Sequence, residues 1–252
     1  MKRKTWRTAG WAVLAAAAVA ASALAQTEGG GAAPDYGGLA KGGMSLSDLF
    51  RAGGVCMYPL TALSIVGVWF VIYLFIVLRP AQVVPPALYH ETLEHLRGGR
   101  PADARRACGG KPTPFATVTL AALEYVERVA APNPALLKDV IEGEGLRQAE
   151  QIQGPTQYLL DIAVVAPMVG LLGTVFGMMR AFGSIANDIA SAKPIVIAAG
   201  VSEALITTAY GLIIGIPAMA FYAYFRRRSA DLVSRLESAA TDVLTALTSA
   251  RA

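Results

Sequence analysis

Gly200-Val201-Ser202-Glu203-Ala204-Leu205-Ile206-Thr207-Thr208-Ala209-Tyr210-Gly211-Leu212-Ile213-Ile214-Gly215-Ile216-Pro217-Ala218 contains one charged side chain, Glu203. The apolar run around it extends from Pro194 to Phe225 and stops at Arg226, Arg227 and Arg228. It exceeds the ~20 residues that cross a bilayer as a helix, so it reads as one tilted span or one that projects beyond the membrane. Gly200, Ala204, Thr208, Gly211, Gly215 and Ala218 recur every three or four residues. Lipid offers no hydrophobic drive between helices, so a face of small residues is what lets two membrane helices pack backbone to backbone.

Working outward, the stretch 158–182 is a second span, with Asp161 and Arg180 near its ends, where both can reach an interface. Gly170, Gly173, Gly177 and Ala181 form its small-residue row, so these two spans are expected to pack closely. Val55 to Leu78 is a third apolar segment without a charge, carrying Trp69, Phe70, Tyr73 and Phe75. The composition agrees: 54% hydrophobic and 16% charged residues are too apolar and too charge-poor for an ordinary soluble domain.

The net charge of +4 comes from Lys2, Arg3, Lys4 and Arg7. Beyond that leader, acidic and basic residues balance, which excludes a basic face for nucleic acid. The leader itself has a cationic start, an apolar stretch from Trp11 to Leu24, and Ala23 and Ala25 in an A-x-A arrangement before Gln26. Those are the three parts of a cleavable signal peptide, and its apolar run is short for a span. An uncleaved anchor would equally start residue 26 outside.

Lys and Arg concentrate between Arg79 and Thr156 and again from Arg226 onward, and are sparse in the other connecting segments. Positive residues mark the cytoplasmic side. The resulting expectation is an all-α integral membrane protein: a signal peptide (1–25), a disordered Gly-rich outer segment (26–44), an interfacial segment with the first transmembrane helix (45–78), a helical cytoplasmic loop (79–157), a second transmembrane helix (158–182), a short outer linker (183–193), a third transmembrane helix (194–225) and a helical cytoplasmic tail (226–252).

Proline and glycine punctuate the inner loop. Pro85 and Pro86 precede a helix over Ala87 to Leu96, Gly98 and Gly99 close it, and Pro101 opens a second that ends at Gly109 and Gly110. Longer helices follow over Phe115 to Val129 and Pro134 to Gln153. In the first, Val118, Ala121, Ala122, Tyr125 and Val129 keep a helical rhythm, with Glu124, Glu127 and Arg128 outward. The tail repeats the rhythm with Leu232, Val233, Leu236, Ala239, Ala240, Val243 and Leu247, and this stripe must face something. No strand pattern is present. Cys56 and Cys108 fall on opposite membrane faces and cannot pair within one chain. His90 and His95 read as solvated helix residues, and neither a metal site nor a cofactor site is expected.

Glu203 resists a packing interpretation. A carboxylate inside a span costs about 2.5–3.5 kcal/mol on insertion scales, so such residues face a polar cavity or a partner and mark ion or proton routes. The alternative is a neutral Glu203 that hydrogen-bonds between helices. Thr208 lies about 140° and one and a half turns from it, and Thr174 follows Gly173 on the facing span. A hydroxyl both donates and accepts, which suits passing a proton. Thr207 is expected to bond its own helix backbone. Asp161 either admits protons or snorkels to the interface.

Two motifs carry a family resemblance. Ala166-Pro167-Met168-Val169-Gly170-Leu171-Leu172-Gly173-Thr174-Val175-Phe176-Gly177-Met178, and the segment Gly200 to Leu212 followed by Ile216-Pro217-Ala218, resemble the second- and third-span signatures of the ExbB/TolQ/MotA proton-channel family. The likeness extends from about Ser45 to Ala240. It implies a stator subunit of the bacterial inner membrane, with the mature N-terminus periplasmic and the C-terminus cytoplasmic. Copies of the chain, typically five, would surround the helices of an ExbD/TolR-type single-span partner, with a TonB-type protein as a further partner and lipid around the ring. By motif position Glu203, Thr174 and Thr208 match the pore-lining acid and threonines, and the acid resembles the ExbB/TolQ branch. The leader with its Gly-rich extension departs from many members. The implied activity couples the proton motive force to outer-membrane work such as TonB-dependent transport. A structural membrane scaffold, or a stator for Tol-type envelope maintenance or surface motility, stands as the alternative. The inner loop has neither a phosphate loop nor a nucleophile constellation, so no enzyme activity is expected.

Overall fold

The computed structural model describes residues 53–110, 112–129, 133–187 and 194–249. The expected signal peptide and Gly-rich segment, residues 45–52 and linker residues 188–193 lie outside the described residues. Among the described residues all regular structure is helical: α1 Met57–Val77, α2 Pro80–Val83, α3 Pro86–Arg97, α4 Pro101–Gly109, α5 Pro114–Arg128, α6 Pro134–Asn187 and α7 Pro194–Ser249. Each helix after α1 begins with proline, whose missing N–H costs nothing where the first-turn donors are unpaired and whose φ already suits a helix. Side chains cap where they can: Thr113 Oγ1 accepts from the Ala116 amide (3.3 Å) and Asn133 Oδ1 from that of Ala135 (2.9 Å).

Three helices are long and apolar enough to cross a membrane: Met57–Val77, Pro134–Gly183 and Val196–Ser249. Their outward surfaces fit hydrocarbon rather than water, with Ile65, Leu171 and Ile213 each more than half exposed. The fold class is therefore the expected one, all-α with three spanning helices.

The helix boundaries differ from the sequence expectation at α6 and α2. A helix ending at Gln153 and a span starting at Tyr158 are in fact a single 54-residue helix, α6. Pro155 lies inside it and removes one backbone donor, which in a helix interior costs about 3 kcal/mol. Pro155 is itself buried, as are Ile152 and Thr156, and burial of this stretch offsets the local penalty. The third span and the tail form one 56-residue helix, α7, with Pro217 inside, in keeping with a span that projects beyond the membrane. The four-residue helix α2 is an element the sequence did not announce.

By its contacts the described chain forms two compact units. One contains residues up to Phe70 with Leu159–Phe221. Its centre is Met57, Leu60 and Ala166, with Leu63, Val169, Tyr210 and Ile214 against them.

The other contains Val71–Tyr158 with the chain from Tyr222 on. Here α4 packs against α3 and α5. Thr92 Oγ1 and Cys108 Sγ meet at 3.5 Å, and Arg105 pairs with Glu127 across α4 and α5. The α5 stripe is rotated from the expected one. Phe115, Val118, Thr119, Ala122 and Val126 are buried while Ala121, Tyr125 and Val129 are half-buried, and Glu124, Glu127 and Arg128 point outward. All seven apolar tail residues named above are buried. The tail is tied in by Tyr89 Oη, which donates to Asp242, by Arg228 Nε, which donates to the Leu78 carbonyl (2.7 Å), and by Phe75 edge-on to Phe225. His90 is exposed, but His95 is half-buried with its Nδ1 unbonded, so only one of the pair is a freely solvated residue.

Candidate functional site

The seam between α6 and α7 is built from missing side chains. A Cβ placed on Gly211 would lie 2.7 Å from the Ala166 carbonyl oxygen and 3.2 Å from Gly170 Cα. One on Gly170 would lie 3.0 Å from the Thr207 carbonyl oxygen, and one on Gly177 2.8 Å from that of Gly200. Gly173 faces the Thr207 side chain, Gly200 faces Ala181, and Gly215 faces Pro167 and the Ala163 carbonyl. Numbers fall along α6 as they rise along α7, so the segments run antiparallel in a fixed register. All six seam glycines named from the sequence sit at this interface.

Glu203 lies on α7 with its side chain 13% exposed. Its two carboxylate oxygens accept from one nitrogen of Arg180 on α6, at 3.1 and 3.0 Å. On another side it meets Gly54, which has φ +63° and no room for a Cβ, because the carboxylate occupies that space. Both requirements single out glycine at position 54. The same residue lies in the turn before α1, where its carbonyl accepts from the Met57 amide at 3.2 Å. The buried Cys56 thiol lies within the field of both Glu203 and Arg180.

The threonines divide. Thr208 Oγ1 crosses the seam and donates to the Gly170 carbonyl (3.2 Å). Thr207, buried against Gly173, donates to the Glu203 and Ala204 carbonyls of its own helix. Thr174 also turns to its own backbone, donating to the Leu171 carbonyl (2.6 Å). It lines an open depression with Val175, Met178, Met179 and Phe182. It is one residue, about 100°, off the glycine row, so the structure does not bring it to Thr208 or Glu203. Asp161 is exposed.

Sequence reasoning missed Arg180 and Gly54 as neighbours of Glu203. Setting the two small-residue rows head to tail would have placed Arg180 within reach of Glu203, whereas nothing local marks Gly54 beyond the Gly53-Gly54 doublet.

Residues 111–238 match the MotA/TolQ/ExbB proton channel family. The chain belongs to that family. It is 29% identical over 191 residues to an ExbB homolog of Methanothermobacter thermautotrophicus, covering 75% of this chain and 66% of the relative. It is 38% identical over 89 residues to the Tol-Pal system protein TolQ of Pseudomonas aeruginosa, covering 35% and 38%. With the biopolymer transport protein ExbB of Salmonella typhimurium it shares 40% over 87 residues, covering 34% and 35%. The chain thus spans a little over a third of the TolQ and ExbB relatives and just under two thirds of the archaeal one. With three spanning helices and these relatives, it is a multi-pass membrane protein.

Proposed function

We propose that this chain is the channel-forming stator subunit of an inner-membrane motor driven by the proton motive force. The observation that supports it most directly is a largely buried carboxylate, Glu203, at the small-residue seam of a proton-channel family member. Intramembrane acids in such positions mark proton routes, and one charge moving through 100 mV yields about 2.3 kcal/mol to be coupled to a step. Thr208 crosses the seam one and a half turns further along, and Thr174 lines the neighbouring outer face of α6. In this reading several copies, typically five, surround the helices of an ExbD/TolR-type partner, with the loop and the tail cytoplasmic. The chain performs no covalent chemistry, and the work energised is of the TonB-dependent transport kind, with Tol-type maintenance or motility as variants set by the partner. A second reading, a scaffold in which Glu203 only fixes helix register, is favoured by the closed Arg180 ion pair.

Proton flux into liposomes carrying the chain with its co-purified partner separates the two. Glu203→Gln at matched assembly abolishes flux if the carboxylate conducts. Unchanged flux would leave Glu203 as glue between helices.

A further inference from the structure

We propose that Arg180 is a removable counter-ion which, with the Gly54 turn, clasps the Glu203 carboxylate, so that each protonation of Glu203 releases a cation at that end of the seam. The proposal rests on the proton-channel reading and adds a positioning residue to it.

The geometry is asymmetric. Glu203 is 13% exposed while the Arg180 side chain is 63% exposed, so the acid is the enclosed partner and the base the exposed one. Both carboxylate oxygens are engaged by a single guanidinium nitrogen, at 3.0 and 3.1 Å, rather than by a two-nitrogen fork. Such an arrangement has less geometric hold than a bidentate pair. Among the described residues, Arg180 from α6 is the charged group paired with the carboxylate, and Gly54 meets it from the approach to α1, where the buried Cys56 thiol also lies. A charge inside a span is costly unless it is paired or can reach the interface, and Arg180, near the end of its span, can do either. A proton arriving at Glu203 cancels the carboxylate charge and with it the reason for Arg180 to stay, so the guanidinium turns toward its exposed side. Loss of the proton draws it back. Gly54 makes the clasp fit, because a Cβ there would overlap a Glu203 carboxylate oxygen and the carboxylate would have to shift.

The test reads the protonation state of Glu203 without requiring transport. Dicyclohexylcarbodiimide adds to a neutral carboxylic acid in apolar surroundings and leaves a stable acylurea, located by mass spectrometry of the Glu203 peptide. At pH 7.5, in the assembled protein in liposomes, the native chain should label slowly, Arg180→Gln several-fold faster, and Arg180→Lys near the native rate because it keeps the charge. Glu203→Gln should not label at this position. Equal labelling of native and Arg180→Gln protein, each checked for intact assembly, would overturn the clasp. If Glu203→Gln leaves flux intact while Arg180→Gln still speeds labelling, the channel reading fails and the clasp stands. If Glu203→Gln stops flux while labelling ignores Arg180, the clasp fails and the channel reading stands.

Discussion

Replacing Gly211 with alanine probes the seam where an added methyl would come closest to the facing backbone. The added methyl would meet three backbone atoms: the Ala166 carbonyl oxygen at 2.7 Å, Gly170 Cα at 3.2 Å and Pro167 Cα at 3.3 Å. None of these is the movable end of a side chain, so α6 and α7 must separate by several tenths of an ångström along a row of similarly tight contacts. Overpacking of this kind costs about 1–3 kcal/mol, set against about 0.8–1.0 kcal/mol gained from alanine's better helix propensity. Gly183, in the same unit, has nothing within 4 Å of an added Cβ, so Gly183→Ala collects only the gain. The two variants should therefore differ by about 1–3 kcal/mol, which is about 5- to 150-fold in the unfolding equilibrium. Titrating each purified protein with denaturing detergent in mixed micelles, and reading protease resistance of the α6–α7 segment, measures that difference. Equal midpoints for the two variants would refute the claim that backbone contact, rather than side-chain packing elsewhere, holds this seam.

Two further outcomes concern the other unit. Tyr89→Phe removes the hydrogen bond to Asp242 and should cost about 1 kcal/mol. That hydrogen bond first, then burial and the Asp242 charge, hold the Tyr89 phenol above its usual range. The bond's contribution is complete below about pH 10 and is lost as the pH rises through the elevated value, so the gap in thermal stability between native and Tyr89→Phe should close in strong alkali; a gap that stays constant there would contradict the assignment. Burial raises the Cys108 thiol, with the Glu91 charge adding and the Thr92 contact opposing. Iodoacetamide at pH 8 should alkylate Cys108 about tenfold or more slowly in the folded protein than in the denatured one, and equal rates would show the thiol to be open.

Much of the architecture is legible because membrane helices satisfy their backbone hydrogen bonds internally, so apolar length and small-residue spacing suffice to locate them. Proline is equally local, and the helix starts at Pro86, Pro101 and Pro134 follow from it. Reading failed where a local signal competed with a distant one. Gly154-Pro155 looks like a helix break, yet the buried neighbours of Pro155 keep α6 continuous. Thr174, expected on the proton path, is one residue of helical rotation off the glycine row and lines an open depression on α6.

Sequence alone determined that three apolar helices exist, that two of them carry complementary rows of small residues, and that Glu203 stands among them. The tertiary structure decided what Glu203 touches. Its neighbours, Gly54 and Arg180, come from a segment nearly 150 residues earlier and from a helix running the other way. Helical periodicity fixes the relative angle of side chains on one rod, but not the rotation of that rod against its neighbour. That rotation is set where backbones can approach closest, which here is the glycine seam.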